Sequence, residues 1–375
     1  MKILKKWFQR LNKSQMQNAT LEVKIEYQAD KVSVQCGEDR FELEVMTGES
    51  YDKELVDFVT WLCLPIAMAR KANLFIHGVG SAQAKINAEK LSDIWSSWLP
   101  ERYSMIQVDY SVIENALSSG EKKSSLFCFS GGVDSTYSLL NAGFSTKPDL
   151  LTVLGMDYNA AMTEQFSDLC TKTENFISNY SGKRIVVKTN AYEVYKKYGI
   201  GGQLSHVFLL FGVGLMFAKN YEGLYLAADH SDFQQFEVFP AGSLYPSNRW
   251  FFVDNFKLHV HGEDTTRAEK VGQLAKNNTA LNAISFCKNR KIRPLNCGVC
   301  SKCMRTKYMF LASVGYIPCE VFIDNKTLSK NLKFSTDPAL NRSYIQDAYR
   351  VAYRSGNLDK VSFINDYYHK YISRR

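Results

Sequence analysis

Ser125-Leu126-Phe127-Cys128-Phe129-Ser130-Gly131-Gly132-Val133-Asp134-Ser135-Thr136 passes from an apolar run, through a glycine pair, into a segment with helical spacing. A nearly continuous apolar run of this length predicts a strand buried on both faces, as in a parallel sheet with helices above and below. Gly131 and Gly132 lack Cβ atoms, so the backbone between strand and helix can bend sharply and approach an anion. The helix that starts near Asp134 directs its free N–H groups at the same place. Ser130, Ser135 and Thr136 add hydroxyls, and Asp134 points to a Mg²⁺ ion bridging carboxylate and phosphate. The stretch therefore predicts a nucleotide loop without the lysine of a Walker motif. A plain Gly-Gly turn capped by Ser and Asp is the competing reading.

The pattern on the C-terminal side supports a parallel sheet. Strands are predicted at 150–156, 184–189 and 224–228, alternating with helices at 162–179 and 203–219, which implies right-handed crossovers. On the N-terminal side, 21–27, 31–35 and 41–45 alternate polar and apolar residues and predict an antiparallel meander with one wet face. A helix (52–69), a strand (73–77), a helix (82–96) and a strand (105–110) follow. The polar stretch 118–125 reads as a linker. The expected division is an N-terminal α/β unit at 1–120, a nucleotide-binding unit at 121–312 and a helical extension at 313–375. The meander is expected to leave sheet edges that a protein partner or second subunit would cover.

The 375-residue chain has 45% hydrophobic and 22% charged residues, which excludes disordered and collagen-like classes. Its longest apolar run, 207–218, is too short to span a bilayer. The start, 1–13, is basic and interleaves Trp7, Phe8 and Leu11, but no apolar signal region follows, which predicts a cytoplasmic protein. A frayed leader and a membrane-surface helix both fit that start. The net charge of +8 suits a phosphate-bearing partner, but it is too dispersed to favour nucleic acid.

Four of the nine cysteines fall together as Cys287, Cys297, Cys300 and Cys303. Four thiolates complete a tetrahedron around Zn²⁺ and close it to further ligands. Seven lysines and arginines in 288–307, with no acid among them, are expected to offset the site's negative charge. An iron–sulfur cluster is the alternative occupant. Further candidates are Asp229, His230 and Asp232 after a predicted strand. A segment with His259 and His261 follows, where Thr266 could cap a helix presenting Arg267 and Lys270 one turn apart. That pair reads either as a cationic clamp or as a solvated helix start. The Gly78/Gly80 and Gly212/Gly214 pairs read as turn or packing glycines.

Ser130-Gly131-Gly132-Val133-Asp134-Ser135 resembles the S-G-G-x-D-S signature of the PP-loop ATP pyrophosphatases. With the cysteine cluster it resembles the 7-cyano-7-deazaguanine synthase family, over about 124–312. The resemblance implies a Rossmann-like, doubly wound α/β sheet of the PP-loop type with a zinc-binding C-terminal part. It implies ATP with Mg²⁺ at the loop, held by Ser130, Gly131, Gly132, Asp134, Ser135 and Thr136, with Asp157 matching a family position and Asp229 another. Ser130, Asp134, Ser135 and Asp229 would be catalytic, and Arg267 and Lys270 are added as candidate nucleotide contacts. The implied reaction adenylates a small acid, of 7-deazaguanine type, and passes it to ammonia or another amine. The presence of relatives in anti-phage gene clusters adds a protein amine as a possible acceptor. Asn159, Ala160 and Ala161 stand where the family has Gly-Gln-Arg, the first cysteine gap is one residue longer, and Arg305 follows Cys303 too closely. A single activation ending in an amide or conjugate is therefore expected rather than a nitrile. A tRNA thiolase or lysidine-type enzyme and a non-catalytic adaptor are the other readings. Asp134→Asn is expected to stop turnover and leave the fold intact.

Overall fold

The computed structural model describes residues 19–114 and 124–372, and its strands form one eleven-stranded sheet. The basic start and nearly all of the expected linker lie outside the described residues. In chain order the strands are β1 (Thr20–Tyr27), β2 (Lys31–Cys36), β3 (Asp39–Val45), β4 (Asn73–Ser81), β5 (Val108–Glu114) and β6 (Ser124–Cys128). They continue as β7 (Asp149–Leu154), β8 (Arg184–Thr189), β9 (Tyr221–Ala227), β10 (Phe252–Val253) and β11 (Phe256–His261). Their order across the sheet is β10-β11-β9-β6-β7-β8-β3-β2-β1-β4-β5.

β6 explains why its sequence reads as continuously apolar. Leu126 and Cys128 enter one core, while Phe127, and Phe129 just beyond the strand, enter the core on the opposite face. Helices Asp57–Arg70 and Gly202–Leu215 fill the first face. Gly212 allows their close approach, since a Cβ there would stand 3.0 Å from the Phe58 carbonyl oxygen, while Gly214 faces Leu224 and Phe256 of the sheet. Helices Val133–Asn141, Arg267–Leu274, Ser301–Val314 and Pro338–Ser355 contribute to the second. The result is an α/β fold with a large, mostly parallel sheet between helical layers.

The N-terminal meander forms as expected, but its edge is not free. β3 pairs antiparallel with β8, through Leu43 with Thr189 and Val45 with Val187. Strands from either side of the expected linker thus belong to one sheet and one apolar core. The expectation that this edge needs a partner is corrected, because β8 of the same chain already satisfies its backbone groups. β1 is covered in turn by parallel pairing with β4. Among the described residues no helix is long and apolar enough to cross a membrane.

β6, β7 and β8 lie in order on one side, whereas β9 and β11 lie on the other side of β6, all parallel. The direction of winding reverses between β6 and β9. Open parallel sheets form a crevice at such a reversal, beyond the carboxyl ends of the two strands.

Candidate functional site

The loop after β6 stands at this crevice. Gly131 has φ +70°, and a Cβ there would lie 2.9 Å from Leu169 Cδ1. Gly132 is the N-cap of helix Val133–Asn141 and supplies no side chain to it, so the first N–H groups of that helix have no side-chain cap. Ser130 Oγ lies 3.2 Å from Ser135 Oγ, and the Ser130 N–H points to the same hydroxyl at 3.4 Å. Ser130 is exposed and Ser135 buried. Thr136 is fully buried and its hydroxyl has no partner among the described residues, so it is turned inward from the loop surface.

Arg267 and Lys270 come to this loop. Thr266 caps helix Arg267–Leu274 as expected, and Glu269, not read from the sequence, completes a capping box with it. The Arg267 guanidinium forks onto both oxygens of Asp134, Nε to Oδ1 being 3.3 Å. Lys270 Nζ stands 3.7 Å from Asp134 Oδ1 and donates to the Ala228 carbonyl at 2.7 Å. Burial opposes the charge on Arg267, but Asp134, Tyr344 and Asp229 outweigh it and raise its pKa. For Lys270 burial wins and its pKa falls below the usual lysine value. A solvated helix start does not fit, since the Arg267 and Lys270 side chains are 15% and 1% exposed and their partner is Asp134 of the same chain.

Asp229 follows β9 and is half exposed, with His206 Nε2 at 3.6 Å. Burial works to raise its pKa, but His206, His230, Arg267 and Lys270 together hold it below the usual range. Burial pushes His230 down to about 4 against the pull of Asp229, and its Nδ1 has no partner among the described residues. Asp157 lies beyond β7 with an exposed side chain, while its carbonyl accepts from Arg293. Asp134, Asp157 and Asp229 therefore follow β6, β7 and β9 at one edge of the sheet. His259 and His261 instead lie on β11; His259 stacks on Tyr225 at 4.5 Å and has a pKa lowered by burial.

Two contributors were not named as site residues from sequence, Tyr344 at all and Arg305 beyond its departure from the family spacing. Arg305 is 6% exposed, lies 4.0 Å from the Tyr344 ring and has no partner for Nε among the described residues. Arg267 faces the same ring at 5.9 Å. Arg305 counted in the sequence as a cation offsetting the cysteines; its packing on Tyr344, a ring that Arg267 also faces, directs it towards the Asp134 side instead. The only signal for this was its position two residues after Cys303, on a helix whose other face carries that ligand. The loop region thus sets Asp134 against Arg267, Lys270 and Arg305, a surplus of positive charge.

The four cysteines converge, with all Sγ atoms within 4.8 Å of one another. Cys287 and Cys300 sulfurs are 3.9 Å apart and those of Cys297 and Cys303 are 3.8 Å apart. A tetrahedral zinc thiolate site with bonds near 2.3 Å has S···S edges of about 3.8 Å, so the donor set fits such an ion. Gly298 makes the turn with φ +81°, and a Cβ would stand 2.0 Å from the Asp324 carbonyl oxygen. The N–H groups of Val299 and Cys300 point at Cys297 Sγ at 3.4 and 3.3 Å. This cluster can hold a metal ion such as zinc. It is joined to the loop: Ser285 N–H donates to the Gly131 carbonyl at 2.7 Å, and Arg293 donates to the carbonyls of Cys287 and Asp157.

Comparison with models of protein families, with curated proteins and with solved structures returns no match. The arrangement of these residues therefore carries the functional argument by itself.

Proposed function

We propose that this chain adenylates a small acid with ATP, in the manner of a PP-loop ATP pyrophosphatase, and passes the activated acid to an amine. One observation carries the reading: an uncapped helix N-terminus at the sheet's winding reversal faces a buried Arg267–Lys270 pair. Loop N–H groups and fixed cations suit the triphosphate, and they supply charge where pyrophosphate leaves.

In the proposed reaction, an oxygen of the acid forms a bond to the α-phosphorus as the bond to the β-phosphate oxygen breaks. Pyrophosphate and an acyl adenylate result. An amine nitrogen then attacks the acyl carbon, the C–O bond to AMP breaks, and the amine loses a proton. Ser130 and the loop N–H groups hold phosphate oxygens, Arg267 and Lys270 neutralise the leaving group, and Asp229 stands across the crevice. Asp134 and Asp229, the carboxylates after β6 and β9 on either side of the reversal, would hold Mg²⁺, which would supply further neutralisation of the phosphates. A closed four-thiolate zinc site offers no open position and serves structure. The acid is of 7-deazaguanine type on the sequence resemblance, and the amine is ammonia or a protein amine.

The test is product analysis with ATP, Mg²⁺, ammonium and 7-carboxy-7-deazaguanine. Release of pyrophosphate with AMP, together with an amide detected by mass, is the expected outcome; ADP and phosphate would overturn the reading. Asp134→Asn should stop turnover, and the Arg267 and Lys270 contacts lead us to expect a loss of stability as well. The amide keeps an oxygen that accepts from Arg267, and Lys270 keeps the Ala228 carbonyl, but the charge that pairs with both cations is lost, at a cost of up to about 3–5 kcal/mol. Ser130→Ala, at an exposed loop hydroxyl, is the variant that isolates phosphate binding from stability.

A further inference from the structure

Helix Pro338–Ser355 belongs to the C-terminal extension and comes from outside the loop, the strands and the metal cluster. It nevertheless presents one face to the segment after β9, to helix Arg267–Leu274 and to helix Ser301–Val314. Ser343 Oγ accepts from Gln234 Nε2 at 3.2 Å, just beyond Asp229 and His230. The Tyr344 ring lies 6.4 Å from the His230 ring, 5.9 Å from Arg267 and 4.0 Å from Arg305. One turn on, Asp347 Oδ2 accepts the Ala268 N–H at 2.9 Å. Arg350 Nη2 then stands 3.8 Å from Asp347 Oδ1 and 3.6 Å from Glu269 Oε2, and Arg354 reaches Glu269 Oε1 at 3.5 Å. These positions recur every three or four residues, so they form one stripe of the helix.

Asp347 is the unexpected member of that stripe. It is 3% exposed among Tyr344, Ile345, Ala348 and Val351, where a carboxylate is costly unless it is bonded. Its bond is to the second residue of helix Arg267–Leu274, at the end where a helix has free N–H groups and a partial positive charge. That same first turn carries Arg267 and Lys270. The capping box of Thr266 and Glu269 satisfies other groups of this terminus, and Arg350 with Arg354 holds Glu269 in turn. The direction of the first turn, and hence of the Arg267 fork on Asp134, is set from the C-terminal extension.

We infer that Asp347 is a positioning residue for the nucleotide site, holding the Arg267–Lys270 turn against Asp134 through the Ala268 N–H. The inference rests on the adenylation reading for its consequence, but its geometry is measurable without nucleotide. The full chain labelled with ¹⁵N-arginine gives an Nε–Hε resonance for Arg267, assigned by its loss in Arg267→Lys. In Asp347→Ala that resonance should broaden or shift, and affinity for ATP with Mg²⁺ should fall about tenfold, the scale of one lost charge-assisted contact. Asp347→Asn keeps an acceptor oxygen and should restore the resonance. Ile345→Val, a mild core loss on the same helix, should leave it in place. An unmoved Arg267 resonance in folded Asp347→Ala overturns the inference, as does failure of folded Asp347→Asn to restore it or an equal change in Ile345→Val. If Asp347→Ala does not fold, Arg350→Ala decides: a smaller displacement supports the inference and none overturns it. Failure of the unaltered chain to bind ATP counts against the adenylation reading, while the arginine resonance still decides the positioning role.

Discussion

Lys270 Nζ bridges the two strands of the winding reversal: it stands 3.7 Å from Asp134 Oδ1, beyond β6, and 2.7 Å from the Ala228 carbonyl oxygen, beyond β9. A lysine 1% exposed gives up hydration, and only partners on both sides compensate for that loss. The contact fixes the width of the crevice as well as its charge.

Lys270→Met keeps most of the volume and removes the charge and the donor. Asp134 retains Arg267, so the stability loss should fall below that of Asp134→Asn, at roughly 2–3 kcal/mol, the scale of one charged hydrogen bond. Urea unfolding monitored by fluorescence measures this. Calorimetric titration with ATP and Mg²⁺ should show at least about tenfold weaker binding. Unchanged affinity would mean that Lys270 serves only to join the strands.

Two glycines next to the site differ in what they tolerate. Gly155, after β7, has φ +125°, and a Cβ would stand 1.9 Å from the Thr189 carbonyl oxygen. That neighbour is backbone and cannot yield, so Gly155→Ala should cost more than about 3 kcal/mol and lower soluble yield. Gly131 at φ +70° meets side chains alone, the tip of Leu169 at 2.9 Å and the Thr173 methyl at 3.4 Å. Gly131→Ala should fold with a loss of about 1–2 kcal/mol from the left-handed backbone alone. Adding Leu169→Ala should leave that part of the penalty in place. Thermal melts of the four proteins distinguish these outcomes, and equal losses for Gly131→Ala and Gly155→Ala would contradict them.

The local elements were legible because they rest on short-range physics. The alternation in β1 to β3, the doubly buried β6, the Gly-Gly turn and the cysteine spacing each depend on neighbours a few residues apart. The cap at Thr266 is of the same kind. What could not be read is contact across long separations. Arg267 and Asp134 are 133 positions apart, and no periodicity encodes their meeting. Pairing of β3 with β8 joined what read as two units, since an edge strand carries no mark of which strand will cover it. Nothing in the sequence marks Asp347; only packing shows that it is buried against Ala268.

His230 gives a pH prediction with a definite sign. Burial lowers its pKa from 6.5 to about 4, with Arg267 and Arg305 assisting and Asp229 and Asp134 opposing. The folded state therefore binds this proton less readily than the unfolded chain. Its contribution is intact above pH 6.5 and is lost as pH falls towards 4, by on the order of 3 kcal/mol in total. His230→Gln lacks the titration. The stability difference between the parent chain and this variant should shift against the parent across that interval, measured by urea unfolding at half-unit steps. A constant difference between pH 7 and pH 4 would show that His230 titrates normally.

The metal prediction follows from sulfur geometry and from what the cluster supports. The Cys287–Cys300 and Cys297–Cys303 separations match the edges of a zinc tetrahedron, and thiolates held this closely repel unless a cation lies among them. Purified protein should contain about one zinc per chain by elemental analysis. Iron with visible charge-transfer absorption would identify an iron–sulfur occupant instead. Cys300→Ser should lose metal and lower the melting temperature, because binding free energy at a structural site is folding free energy. The effect should extend to the Gly131–Gly132 loop by a definite route. Cys287 lies two residues after Ser285, whose N–H holds the Gly131 carbonyl, and its own carbonyl holds Arg293, which also grips Asp157. Amide exchange should therefore accelerate at 129–133 and 155–158 when the metal is lost, while β1 to β3, with no contact to the cluster, stay protected. Equal acceleration throughout the sheet would mean global loosening, and no change in the loop would show that the cluster stabilises only its own turn.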